Sequence, residues 1–297
     1  MDKRSVLFIA MVLSVGLFGW IGGCKTKEQK VKKLIKALQH KNSQVRRDAA
    51  GTLGSVGEDA KDAVPALIQT LQDPEEIGRG TIAKALGSIG EDAKDAVPVL
   101  IQLLRDEVAN VRSNAAEALA KIGIGAVSSL VQLLRDEVAH VRASAIWTLA
   151  KIGTDAVPAL IQTLQNQDIS VRSHAASILG QIGERAVGAV PALTLALQDL
   201  NPEVRQYAAW ALGMIGKGAK DAVPVLMQAL KDESMDVRSN SAMSLGRIGA
   251  GDAVYALIPL LQDQNSGVRA SAANALVWIG TPEALKAVRN INHDNKM

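Results

Sequence analysis

The sequence predicts an all-α protein, an α-solenoid (superhelix) of about eight helix-pair repeats. Four observations carry this. A Val-Arg dipeptide recurs at Val45-Arg46, Val111-Arg112, Val141-Arg142, Val171-Arg172, Val204-Arg205, Val237-Arg238 and Val268-Arg269, with Gly78-Arg79 as a degenerate copy. Successive arginines stand 33, 33, 30, 30, 33, 33 and 31 residues apart, a period that marks stacked repeats and overrides the two-domain organisation suggested by 297 residues. Each unit holds two stretches with apolar residues at three- and four-residue spacing, the helical signature. Finally, aromatics make up 3% of the chain, and both phenylalanines, Phe8 and Phe18, precede the repeats. The core must therefore be thin and aliphatic, built from Ala, Leu, Ile and Val.

In chain order, residues 1–23 come first and read as a signal peptide. Lys3 and Arg4 form a positive start, and Ser5 to Gly23 carries no charge. The run ends Ile21-Gly22-Gly23-Cys24, with the chain's single cysteine at its edge. This pattern resembles the lipobox of bacterial lipoproteins: an aliphatic residue, two small residues, then Cys. The resemblance implies cleavage before Cys24 and diacylation of its thiol, so that residues 24–27 form a lipidated anchor and short linker. Two or three acyl chains hold a protein stably on a bilayer. The uncharged stretch is also long enough to serve as an uncleaved transmembrane anchor. By the sorting pattern of that family, Lys25 points to the outer membrane, periplasmic side, in a Gram-negative cell. In a Gram-positive cell the address is the external face of the plasma membrane.

A first helix follows from Glu28 to Gln39, apolar at Val31, Leu34, Ile35 and Leu38 and otherwise mostly lysine. With this helix, the eight units span residues 28–280. In each, the first helical pattern is like Asp95-Ala-Val-Pro-Val-Leu-Ile-Gln-Leu-Leu, with Asp95 as N-cap and Pro98 in the first turn, where amides lack intrahelical partners. The second reads Val-Arg-x-x-Ala-Ala-x-Ala-Leu-Gly-x-Ile-Gly, and its closing Gly accepts a positive φ. Alanine at the packing positions lets neighbouring helices approach without aromatic filling. Residues 281–297 form a C-terminal capping helix and tail, with Thr281 as cap and Pro282 at the first helical position.

These units resemble the HEAT repeat, specifically the short HEAT-like repeat of phycobilisome (PBS) lyases, an armadillo-like helical fold. The resemblance covers residues 28–280. It implies helix pairs stacked into a superhelix, with the second helices lining the concave surface. It also raises two enzyme families. Deoxyhypusine hydroxylase takes its iron ligands from His-Glu pairs, and this chain has no His-Glu dipeptide; its histidines are His40, His140, His174 and His293, without metal-ligand spacing. Phycobilin lyases act inside the cell, whereas this chain starts with an export signal. No Ser-His-Asp arrangement or phosphate-binding Gly-rich loop appears, so the reading is not an enzyme, with no cofactor and no metal.

The repeated arginines invite a phosphate-binding reading, but acids stand six residues before most of them. Asp73, Asp106, Asp136, Asp199, Asp232 and Asp263 precede Arg79, Arg112, Arg142, Arg205, Arg238 and Arg269; Asn166 precedes Arg172. The resemblance implies an inter-repeat ladder in the turns, suited to the planar fork of Arg. The ladder is then structural and unavailable to nucleic acid, which a net charge of +3 does not suggest either.

If the repeated positions build the scaffold, function lies at the positions left free. Counted from each arginine, offsets +2, +5 and +9 vary most, and they share one helical face. The later units place Trp147, His174, Tyr207, Trp210, Met214, Met243, Arg247 and Trp278 in this lane. Trp, Tyr, Met and Arg are enriched at protein-binding surfaces. The lane is therefore the expected binding face for a protein or peptide partner on a monomeric scaffold. A HEAT-like enzyme or enzyme accessory and a purely structural spacer are the alternatives. Tyr255, outside the lane, aligns with the first-helix proline and reads as structural.

Charge is segregated as well. Residues 25–47 hold nine Lys or Arg and one acid, Glu28, whereas residues 48–297 hold 22 bases and 28 acids. The basic segment falls where membrane headgroups are expected.

Overall fold

The computed structural model describes residues 25–72 and 78–294. The signal peptide, Cys24 and Asp73 lie outside the described residues. Among the described residues every regular element is a helix. The chain divides into two compact units at Ser129 and Leu130.

The N-terminal unit contains α1 (Lys25–Ala37), α2 (Ser43–Val56), α3 (Val64–Leu71), α4 (Arg79–Ile89), α5 (Val97–Leu103) and α6 (Ala109–Ile122). Helix α7 (Ile124–Gln132) leads into the C-terminal unit. There follow α8 (Ala139–Ile152), α9 (Val157–Thr163), α10 (Ile169–Ile182), α11 (Val190–Ala196), α12 (Pro202–Ile215), α13 (Val223–Ala229), α14 (Met235–Ile248), α15 (Val254–Leu257), α16 (Ser266–Ile279) and α17 (Pro282–Asp294). In both units helix pairs repeat in tandem, as the sequence period requires.

Short first helices alternate with 14-residue second helices such as α12. The first helices do not begin on an Asp cap. Asp95 sits inside a 3-10 segment, Gly90–Ala96, and Ala96 occupies the cap position without a side-chain hydrogen bond. The reason is local. The Val97 N–H already donates to the Lys94 carbonyl of the 3-10 segment, so this amide needs no side-chain acceptor. Pro98 then enters the first α-turn, where its missing N–H costs little. The 30-residue units are shorter here: Gly153–Ala156 spans four residues where Gly90–Ala96 spans seven.

The second helices end as their glycines require. Eight of them, from Gly57 to Gly280, have φ between 68° and 77°, and among the described residues no other residue type has a positive φ. Most second helices also stack directly on their successors within a unit. Small residues make this possible. A Cβ built on Gly87 would lie 2.6 Å from the Cα of Ala118, so α4 and α6 meet backbone to backbone. The interior is aliphatic, of leucine, alanine, valine and isoleucine: Leu53, Leu86 and Leu119 of one unit, and Leu149, Leu179, Leu212, Leu245 and Leu276 of the other, are fully buried. Each such leucine contributes about 1.5–3 kcal/mol by leaving water.

Both chain ends finish the packing with polar outer faces. Helix α1 starts at Lys25, earlier than the apolar pattern suggested, and buries Val31 and Leu34 while Lys27, Lys32, Lys33 and Lys36 are exposed. Helix α17 is capped by Thr281, whose Oγ1 accepts from the Ala284 N–H at 3.2 Å.

Candidate partner-binding face

The arginine turns fix what is scaffold. Arg205 illustrates them. Its Nη1 donates to the carbonyls of Asp199 (2.9 Å) and Leu200 (3.1 Å) in its own turn. Its Nε and Nη2 donate to the carboxylate of Asp232, in the next repeat, at 2.7 and 2.9 Å. Asp232 in turn accepts the Ser234 N–H at 2.9 Å, closing the next turn. One planar fork thus holds two consecutive turns, which a lysine ammonium could not do.

Arg172 binds Asp199, and Arg238 binds Asp263, with the same two-pronged geometry; Arg79 reaches Asp106 through Nε at 2.6 Å. The ladder runs between repeats, as the resemblance implies: the carboxylate partner is the Asp 27 or 25 residues downstream, not the Asp six residues upstream. The upstream Asp gives its backbone carbonyl instead. Arg142 and Arg269 have no Asp of the ladder in a following repeat. Arg112, Arg142 and Arg269 donate to two carbonyls of their own turn. For Arg142 the equivalent residue in the next repeat is the uncharged Asn166, and Arg269 belongs to the last repeat. Asp136 accepts the Val138 N–H at 3.0 Å, holding its own turn.

Burial pushes the carboxyls of Asp199 and Asp232 up. The Arg172 and Arg205 forks, the N–H groups of Asn201 and Ser234, and the guanidinium charges outweigh it and hold both below the usual carboxylate range. Asp106 behaves in the same way, and at Asp263 the Arg238 hydrogen bond is the largest influence.

The variable lane lies on the second helices of the C-terminal unit. Its residues are not equivalent. Trp147 on α8 and Trp278 on α16 are 45% and 49% exposed, and Met214 and Arg247 are exposed as well. His174, Tyr207, Trp210 and Met243 are half-buried. Trp210 lies against Gly180 of the preceding second helix, so closely that a Cβ on Gly180 would run into the ring. His174 is committed too: its Nδ1 is 3.2 Å from the Leu134 carbonyl, which must accept from an Nδ1–H. These two side chains, read from sequence as partner contacts, spend part of their surface on packing and latching.

Offset +9 gives the most connected row. Arg247 Nη1 donates to the Met214 sulfur at 2.8 Å, and the guanidinium carbon stands 6.0 Å from the Trp278 ring centre. Met214, Arg247 and Trp278 belong to three successive repeats, so the row crosses α12, α14 and α16. Lys151 stands 5.8 Å over the Trp147 ring. Both cations are themselves exposed, Lys151 beside Trp147 and Arg247 beside Trp278. The sequence placed these residues in one lane but gave no sign of the Met214–Arg247 contact. Tyr255 is 74% exposed rather than packed, because the first-helix proline position it replaces faces solvent.

Among the described residues, no group of three or more His, Cys, Asp and Glu is placed to hold a metal, and no helix is long and apolar enough to cross a membrane.

No curated protein matches the chain. Solved structures do. Kap95p, from a complex with RanGDP, shares 17% identity with a TM-score of 0.51; the match covers 97% of this chain and 45% of Kap95p. Human deoxyhypusine hydroxylase shares 26% identity over 86% of this chain and 97% of its own, with a TM-score of 0.36. The CpcE–CpcF complex of phycocyanin lyase from Nostoc sp. PCC7120 shares 25% identity over 50% of this chain and 98% of its own, with a TM-score of 0.39. The family model described as HEAT repeats matches residues 31–120, 64–137, 97–161, 127–194, 157–236, 190–258 and 223–296. Overlapping matches that run from the first helix to the last leave no repeat outside the family, and the chain belongs to the HEAT-repeat family.

Proposed function

We propose that this protein is a non-enzymatic scaffold that binds a protein or peptide on the second-helix face of its C-terminal unit, and that it is exported and lipid-anchored through Cys24. The observation that carries the binding reading is the exposed row of Met214, Arg247 and Trp278, with Trp147 and Lys151 further along the same lane. Large rings and a guanidinium held in place lose little conformational freedom when a partner arrives, which favours binding. Kap95p, the HEAT-fold neighbour, was solved with RanGDP, a protein partner. The export reading rests on the Lys3-Arg4 start, the uncharged run and Cys24 at its end.

The experiment is a triple replacement, Trp147→Ala, Arg247→Ala and Trp278→Ala, in the host. Loss of the partner with an unchanged helical spectrum supports the reading. Retention of the partner refutes it. The mass of the mature N-terminus reports whether Cys24 is acylated.

A further inference from the structure

Helix α1 carries a charge pattern that its packing does not use. Val31, Leu34 and Leu38 are buried, and α1 packs on α2 and the 3-10 segment Gly57–Ala63. Two of its lysines are neutralised there: Lys27 binds Asp59 and Lys32 binds Glu28, both below 3 Å. Lys33 and Lys36 are exposed on the side away from the buried residues, Lys30 is half-exposed, and Lys41 follows in the next turn, also exposed. No acid is paired with these four among the described residues. They contrast with the cations of the turns, whose guanidinium groups are engaged by backbone carbonyls or carboxylates.

Where this surface stands in the chain matters as much as its charge. Helix α1 begins at Lys25, directly after the uncharged run and Cys24. Whether residues 5–23 span a bilayer or Cys24 is acylated, no linker separates the lipid attachment from the first turn of α1. Nucleic acid is the less fitting occupant. Single strands are gripped by aromatic stacking, and no aromatic residue stands between Trp20 and Trp147.

We propose that the outward lysines of α1, with Lys41, form a docking surface for anionic lipid headgroups, which holds the first repeat against the bilayer. The inference rests on the membrane location proposed above. Each basic side chain at an anionic surface contributes about 1 kcal/mol, or about fivefold in partitioning. The contribution fades as added salt shortens the screening length from about 10 Å towards 3 Å.

The test uses the chain from Lys25 onward, which keeps every described helix and does not depend on acylation. Its probes are vesicles of phosphatidylcholine alone and with about a third phosphatidylglycerol. Co-sedimentation with the anionic vesicles only, lost at high salt, is expected. Lys30→Glu, Lys33→Glu and Lys36→Glu together should weaken it about 100-fold or more, with the helical spectrum unchanged. Lys217→Glu with Lys220→Glu, exposed in the C-terminal unit, should leave it unchanged. Equal binding to neutral vesicles, indifference to the α1 reversals, or tighter binding to oligonucleotides than to vesicles would overturn the proposal. Acylated Cys24 together with failed vesicle binding would remove the headgroup surface and leave the anchor standing.

Discussion

Removing Arg205 should cost far more than removing Arg142, although both belong to the same sequence motif. Arg205→Ala deletes four short hydrogen bonds, two to its own turn and two to Asp232, and leaves that carboxylate with the Ser234 N–H. The pair is mostly out of water, with side chains 11% and 13% exposed. Breaking such a pair by deleting one partner costs about 3–5 kcal/mol. Arg142→Ala loses only the carbonyls of Asp136 and Glu137, at 2.6 and 3.0 Å, and strands no carboxylate. Its cost should be about 1–2 kcal/mol. In a unit of this size the difference is a Tm gap of about 5–10 °C, at 2–4 °C per kcal/mol. Denaturant unfolding followed by circular dichroism, with Asp232→Asn completing a double-mutant cycle, supplies both numbers. Coupling between Arg205 and Asp232 of about 1–3 kcal/mol is expected for groups in one network. Equal costs for the two arginines, or no coupling, would refute the next-repeat ladder as the source of stability.

Three further outcomes follow from the same geometry. Gly87→Ala should destabilise by about 1–3 kcal/mol through overpacking against Ala118, and Gly90→Ala by a similar amount, although its built Cβ meets nothing, because φ is 77°; thermal melts check both. Trp210→Ala should cost about 2 kcal/mol because the ring covers Gly180, whereas Trp147→Ala, on a side chain already 45% exposed, should cost less than about 1 kcal/mol. The ladder carboxyls titrate lower in the folded state than the unfolded value of about 3.9, so their contribution is complete well above that pH and is lost as pH falls through their depressed folded values. A stability profile from pH 7 to 2 should show that loss, and Asp199→Asn with Asp232→Asn should flatten it.

Much of the fold is legible because it depends on local chemistry. The closing glycines announce themselves, since Gly90 or Gly183 occupies backbone that a Cβ would strain. Leu53, Leu86 and Leu119 stand at one offset from the arginines and are buried for that reason. Thr281 and Pro282 mark the start of α17 because capping is decided within one turn. The resemblance implies a ladder between repeats, but the sequence does not show which Asp each Arg takes. The period says that an Arg and an Asp recur, but not that Arg205 takes the carbonyl of Asp199 and the carboxylate of Asp232. The Asp95 cap fails for a related reason, since the 3-10 segment supplies a carbonyl in its place. In the lane, residue type gives exposure only on average. Trp210 is drawn down by the absence of a side chain at Gly180, and His174 by a carbonyl 40 residues away at Leu134. Neither could be read from helical spacing alone.

The central claim is that the second helices of the C-terminal unit are the binding face. Photocrosslinking groups placed singly at exposed lane positions Gln181 and Asn274, and at exposed first-helix positions Gln162 and Gln228, test it in the living host. One partner captured from Gln181 and Asn274, absent from Gln162 and Gln228, and lost when Trp147, Arg247 and Trp278 become alanine is the expected result. Capture from the first-helix positions instead, or capture that survives the triple replacement, would contradict it.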